Sequence, residues 1–298
     1  MRVALVGAGR MGSAMGGRVT AAGYDLVVFN RTRSRAEEVA QRTGAQVADT
    51  AREAAAAVHV CLVSLADDVA VTATYLADDG LLAGLQSGAV VCDTSTVAPA
   101  TVRGLAPLVA QQGATLVDTP VSGSVSVVES GAITVMAGGD QAALERARPV
   151  LEAFAKSIFH LGDVGAGATM KLVVNSLVHS LNVAVSEALV LAENAGLDRE
   201  TVYDIFESGA AGAPYVKYKR EAFLKPGEVP VAFSLGLVTK DQELIHDLAQ
   251  QTGTRMDQGE ASRQLVAEAV RDGLGERDIS EVAEFLRNAS GAGTTEQT

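Results

Sequence analysis

Gly7, Gly9 and Gly12 stand in the run Gly-Ala-Gly-Arg-Met-Gly, directly after the apolar stretch Val-Ala-Leu-Val and ahead of a helix-like stretch reaching about Ala22. This spacing suits a dinucleotide pyrophosphate. Gly7 permits a tight turn, Gly9 lets backbone approach the phosphates, and Gly12 lets helix pack close to strand. Arg10 and Met11 fall in the first turn of that helix. Its free N–H groups and dipole attract phosphate. The other reading is a purely structural glycine turn.

The end of the next apolar run, Asp25–Phe29, reports on the ribose. An NAD site places Asp or Glu there for the 2′-hydroxyl. This chain has Asn30, Arg31, Thr32 and Arg33 instead. Removing the carboxylate and adding guanidinium groups suits a 2′-phosphate, so NADP(H) is the expected cofactor. A solvated basic loop would explain the arginines but not the missing acid. Ser64 and Leu65, and the run Asp93-Thr94-Ser95-Thr96, follow later strand-like segments. Loops at the carboxyl ends of parallel strands line the ligand crevice, so these could flank ribose and nicotinamide. They read equally well as strand-terminating turns.

Two further segments carry reactive groups. Ser122, Gly123 and Ser124 lie in Asp-Thr-Pro-Val-Ser-Gly-Ser, after a strand and a proline. Lys171 and Asn175 are four residues apart within one helical stretch and share a face. Lys171 lies in the apolar run Met-Lys-Leu-Val-Val-Asn, where a snorkelling surface lysine is the plain alternative. His59, His160, His179 and His246 lack ligand-like spacing, and no metal site is expected. His179, eight residues after Lys171 and on roughly the same helix face, reads as a core or interface histidine, with a place beside the pocket as the alternative.

Positioning these groups requires an α/β chain. Arg2–Val6, Asp25–Phe29, Val58–Leu65, Ala89–Thr94, Thr115–Asp118, Ala132–Ala137 and Ser157–Leu161 read as strands, with helix-like stretches such as Arg33–Arg42 between them. That alternation predicts βαβ units and a Rossmann-type, doubly wound, mostly parallel sheet over residues 1–163. Beyond residue 163 the strand signals stop. A long helix is expected from Ala168 to Ala195, with helices ending near Glu207 and at about 239–251, 255–272 and 278–288. Ala211–Phe233 reads as loop, with Pro214, Pro226 and Pro230. Residues 164–298 are therefore expected to form an all-helical substrate and dimerisation domain, and Ser290–Thr298 a disordered tail.

The formal net charge of −12 argues against nucleic acid or an anionic membrane surface as partner. Lys171, Asn175, His179, Asn182 and Glu187 interrupt the long apolar segment, so no membrane span is expected. Two cysteines, Cys61 and Cys92, sit in apolar runs and suggest buried thiols and a cytoplasmic protein.

Taken together these segments resemble the β-hydroxyacid dehydrogenase family, which includes 3-hydroxyisobutyrate dehydrogenases, tartronate semialdehyde reductases and glyoxylate/succinic semialdehyde reductases. The resemblance rests on the glycine motif at 7–12, DTST at 93–96, DTPVSG at 118–123, GAGATMKLVVN at 165–175 and FSLGLVTKD at 233–241, and spans nearly the whole chain. It implies that Lys171 is the general acid in carbonyl reduction and the general base in reverse. Asn175 would orient the substrate or Lys171. Ser122, Gly123 and the Ser124 N–H would hold a substrate carboxylate or polar tail. Lys240 would close over the cofactor, and Gly167 would leave room for substrate beside the helix. The implied reaction is NADPH-linked reduction of a small aldehyde or keto acid, reversible as a 3-hydroxy acid dehydrogenase, in a homodimer or homotetramer. An imine reductase is the alternative enzyme, although imine reductases typically replace this lysine. A non-catalytic NADPH-binding protein is the alternative outside enzymes. The family commonly has a second glycine at Ser124 and small residues at Val127 and Val128, so a bulkier, more apolar pocket wall is expected. The stretch Ala213-Pro214-Tyr215 also replaces a more polar one.

Overall fold

A computed structural model describes residues 1–290. The segment expected to be disordered lies outside the described residues from Gly291 on. The described chain divides into two compact units, the first Met1–Leu172 and the second beginning at Val173.

The first unit is built on a six-stranded parallel sheet. Its strands are β1 (Arg2–Val6), β2 (Asp25–Phe29), β3 (Gln46–Val47), β4 (Val60–Val63), β5 (Val90–Asp93) and β6 (Thr115–Asp118), in the order β3-β2-β1-β4-β5-β6. This is the Rossmann order for a doubly wound sheet. A second sheet holds β7 (Val121–Ser122), β8 (Ile133–Ala137) and β9 (Ala155–His160), with β7 antiparallel to β8 and β8 parallel to β9. β3 and β7 have two residues each, too short for a periodic signal.

The central strands read as continuous apolar runs because both faces are covered. On β1, Val3 and Leu5 enter one core and Ala4 and Val6 the other. Met15, Val19 and Val39 from the helices Arg10–Ala21 and Arg33–Thr43 close the first core. Tyr75, Val102 and Val109 from Asp68–Leu76 and Pro99–Gln111 close the second. Cys61 and Cys92 are buried in opposite cores, on opposite faces of the sheet, which excludes a disulfide between them.

The second unit is helical among the described residues. The long helix Ala166–Asn194 begins in the first unit and continues into the second, followed by Arg199–Ser208, Pro214–Leu224, Leu235–Thr252, Asp257–Ala269 and Val282–Ala289. By length and mean hydropathy of 1.3 the long helix could cross a membrane. However, Val183, Val185, Leu189 and Val190 pack into two helical cores, and its Asn175, His179, Asn182 and Ser186 are buried. The segment read as loop contains the helix Pro214–Leu224. Its proline sits at the first helical turn, where the missing N–H costs nothing. Two buried networks brace this region. Tyr215 donates to Asn182 Oδ1 at 2.6 Å, and Asn182 Nδ2 donates to the Ile279 carbonyl at 3.0 Å. Lys219 Nζ lies 2.5 Å from Asp278 Oδ1, and Asp278 Oδ2 accepts the Ala232 N–H at 2.9 Å.

Candidate active site

Parallel register brings the sequence-predicted loops to one edge. Val6 is opposite Phe29 and Val63, Val63 is opposite Asp93, and Asp93 is opposite Asp118. The segments beginning at Gly7, Asn30, Ser64, Thr94 and Thr119 therefore all leave the sheet at its carboxyl edge, where ligands of this fold bind.

The glycine loop has separable constraints. Gly7 has φ +102°, and a Cβ there would lie 2.1 Å from the Ser64 carbonyl oxygen. A Cβ on Gly12 would lie 2.0 Å from the Gly7 carbonyl oxygen, so helix and strand meet only without a side chain. A Cβ on Gly9 would meet nothing within 4 Å, which leaves the backbone open to a ligand. Gly9 caps the helix Arg10–Ala21 with no side-chain hydrogen bond, so no side chain competes for the first-turn N–H groups. Arg10 is exposed, and Met11 is half-buried against the core. These features fit a dinucleotide pyrophosphate.

Asn30 performs a task the sequence did not reveal. Its Oδ1 accepts the Ala8 N–H at 3.0 Å, and its Nδ2 donates to the Thr32 carbonyl at 2.9 Å, fastening the glycine loop to the β2 end. Arg31 and Thr32 are exposed. Arg33 instead pairs with Asp49 and, at 2.8 Å, with Glu37.

Around the ends of β4 and β5, the Leu65 N–H donates to Ser95 Oγ at 3.0 Å and Thr94 Oγ1 donates to the Val63 carbonyl at 2.7 Å. Asp93 accepts from Tyr75 Oη and the Ser95 N–H, both at 2.9 Å. Burial raises its pKa, and the bonds from Ser95 and Tyr75 partly offset that rise. Asp93, Thr94 and Ser95 are thus buried supports, while Ser64, Leu65 and Thr96 are half-buried.

In the DTPVSG segment the acid is also structural. Asp118 accepts the Gly165 N–H at 2.8 Å and the Ala168 N–H at 2.7 Å, capping the long helix from a distant strand. Burial raises its pKa, against the backbone bonds that lower it. A Cβ on Gly167 would lie 2.4 Å from the Met136 carbonyl oxygen. Gly167 is therefore small so that the helix start can meet β8, correcting the expectation that it leaves room for substrate. Ser122 is half-buried at the end of β7, and Gly123 is exposed with φ +139°. Ser124 begins the short helix Val125–Glu129, its Oγ 2.8 Å from Ser126 Oγ. Val128 is fully buried in the sheet core and cannot form a pocket wall, correcting that expectation; Val127 is partly buried against the same core.

On the long helix Lys171 is half-buried and Asn175 is buried, four residues on. The helix carrying Lys240 starts at Leu235, earlier than the sequence suggests, with Ser234 Oγ accepting the Leu237 N–H. Lys240 and Asp241 therefore sit within a helix. In the second unit Asn175 Nδ2 donates to Asp241 Oδ2 at 2.6 Å, His179 Nε2 lies 3.5 Å from that oxygen, and Lys240 Nζ lies 2.9 Å from Oδ1. Burial pushes the Asp241 pKa up, but His179 and the Lys240 charge outweigh it and bring the carboxyl down to about 2. Nothing in the sequence marks Asp241 or His179 for this place, because the contact joins distant helices. Phe233 stacks on His179 with ring centroids 5.9 Å apart.

Fold and loop define a dinucleotide-binding architecture, and comparison with known proteins adds the reaction class. The family model described as the NAD binding domain of 6-phosphogluconate dehydrogenase matches residues 2–162. The model described as NAD-binding of NADP-dependent 3-hydroxyisobutyrate dehydrogenase matches residues 165–286. Glyoxylate/succinic semialdehyde reductase 1 of Arabidopsis thaliana is 33% identical over 96% of this chain and 99% of its own. The NAD-dependent L-serine dehydrogenase of Pseudomonas aeruginosa is 32% identical over 97% and 99%. The structure of Psf3 in complex with NADP+ and 2-OPP is 29% identical, covers 95% of this chain and 99% of that one, and superposes with a TM-score of 0.89. The chain belongs to the β-hydroxyacid dehydrogenase family, whose members are NAD(P)-dependent oxidoreductases.

Proposed function

We propose that the protein is an NADPH-dependent reductase of small aldehydes or keto acids, running in reverse as a 3-hydroxy acid dehydrogenase. The observation that carries the reading is Lys171, half-buried one turn before a buried Asn175 whose amide is held by Asp241. When bound, the dinucleotide supplies the hydride. Lys171 donates a proton to the carbonyl oxygen in reduction and removes it in oxidation. Asn175 orients the substrate or Lys171. The hydroxyl of Ser122 and the N–H groups of Gly123 and Ser124 hold the substrate carboxylate or polar tail. The glycine loop with Arg10 and Met11 holds the pyrophosphate, and Ser64, Leu65, Thr96 and Lys240 flank the rest of the cofactor.

Support for NADP(H) over NAD(H) is local. No carboxylate ends β2, Asn30 is spent on the glycine loop, and Arg31 is exposed and open to a 2′-phosphate. The exposed apolar residues Met170, Val173, Leu177 and Leu191 on the long helix support self-association as a homodimer or homotetramer.

The test is NADPH oxidation followed by absorbance with succinic semialdehyde, glyoxylate, methylmalonate semialdehyde and a cyclic imine. Turnover of an aldehyde or keto acid is expected. Turnover of the imine alone would replace the carbonyl reading, and tight NADPH binding with no turnover on a broadened panel would favour a binding protein.

A further inference from the structure

His179 occupies an unusual place for a core histidine. It is 3% exposed, yet neither ring nitrogen has a hydrogen-bond partner within the protein. A buried imidazole ordinarily satisfies its nitrogens on carbonyls or carboxylates, because leaving them unpaired is costly. The polar group nearest Nε2 is Asp241 Oδ2, at 3.5 Å, the same oxygen that accepts the Asn175 amide at 2.6 Å. The ring plane is set by Phe233, stacked at an interplanar angle of 8°. His179 also lines a cavity of about 270 Å³ with Ser176, Gln242 and Ser262.

We propose that His179 is a positioning residue: its Nε2–H group, with the nitrogen 3.5 Å from Asp241 Oδ2, steadies the carboxylate that holds the Asn175 side-chain amide. The role requires a proton on Nε2, since an unprotonated ring nitrogen can only accept. At 3.5 Å the contact is long, and the charge on the carboxylate strengthens it. Asp241 has two oxygens with different tasks. Oδ1 faces Lys240 Nζ at 2.9 Å, while Oδ2 holds Asn175 and faces His179. Losing the His179 donor would let the carboxylate turn toward Lys240 and withdraw Oδ2 from Asn175. Misplacing an orienting group by an ångström costs on the order of a hundredfold in rate. The inference rests on the proposed role of Asn175 at the substrate.

The test compares His179→Leu with His179→Gln, whose side-chain amide can restore a donor near the Nε2 position. His179→Ala serves in place of leucine if circular dichroism shows the leucine variant misfolded. The leucine variant is expected to lose kcat by about 10-fold to 100-fold with the KM for NADPH unchanged, and the glutamine variant to recover most of the loss. In nitrogen–proton correlation spectra, assigned with Asn175→Ala, the Asn175 amide should shift in the leucine variant and return in the glutamine variant. Equal kcat and an unmoved amide in His179→Leu would overturn the inference, as would equal losses in both variants with no recovery. The amide readout needs no substrate, so it stands even if every carbonyl on the panel fails and the functional reading falls.

Discussion

Removing the Asp278 carboxylate should cost far more stability than removing its partner ammonium, because the two sides of this buried pair are unequally supported. Asp278 Oδ1 meets Lys219 Nζ at 2.5 Å, the Ser280 N–H at 3.1 Å and Ser280 Oγ at 3.0 Å. Its Oδ2 accepts the N–H groups of Ala232 at 2.9 Å and Phe233 at 3.3 Å. Both side chains are buried, at 3% and 5% exposure for Lys219 and Asp278. Lys219→Met keeps the apolar stem and leaves four donors on the carboxylate, so a loss of about 1–2 kcal/mol is expected. Asp278→Ala strands a buried ammonium and several N–H groups, for about 3–5 kcal/mol. Burial already lowers the Lys219 pKa against the opposing pull of Asp278, so the stranded amine can shed its proton, which limits the cost. Combining both changes should cost less than the sum of the two, because methionine removes the stranded charge. Urea unfolding followed by circular dichroism on the two single variants and the double variant measures all three terms. Equal losses from the single changes, or losses below about 1 kcal/mol for both as at an exposed pair, would refute this reasoning.

Other expectations follow from the same structure. Asp241 has a folded pKa of about 2, below the ordinary 3.8, so it adds stability above the unfolded pKa that is lost as pH falls through the folded one. Acid titration of stability between those values should show on the order of 2 kcal/mol that Asp241→Asn lacks; parallel curves for the two proteins would contradict it. Cys61 and Cys92 are buried, and burial pushes the Cys92 thiol up to about 12 and Cys61 higher still. A thiol reagent should therefore react only at the rate of unfolding, and fast labelling of native protein would show that the sheet opens locally. Arg31→Ala should raise the KM for NADPH by about tenfold while leaving that for NADH nearly unchanged. Equal effects on both cofactors would remove Arg31 from the 2′-phosphate.

Much of the sheet was legible because both faces of β1, β4 and β5 are covered, which writes continuous apolar runs into the sequence. The glycine loop was legible because Gly7 and Gly12 each answer a separate steric demand while Gly9 leaves the backbone open. What escaped depends on contacts between distant segments. Asp118 caps a helix that starts 48 residues later (118 to 166), so no local capping pattern marks it. Asp241 and His179 look like ordinary helix residues until the helices are packed. The helix Pro214–Leu224 was hidden by its own first residue, since proline marks a helix start as readily as a loop.

Single-turnover oxidation of NADPH by Lys171→Ala, on whichever carbonyl the native protein turns over, addresses the central claim most directly. The account predicts a loss of about 10²–10⁴-fold in rate with NADPH binding, read by fluorescence, unchanged. A rate within a few fold of the native protein would contradict it, because the proton would then come from elsewhere and Lys171 would be only a half-buried lysine on a long helix.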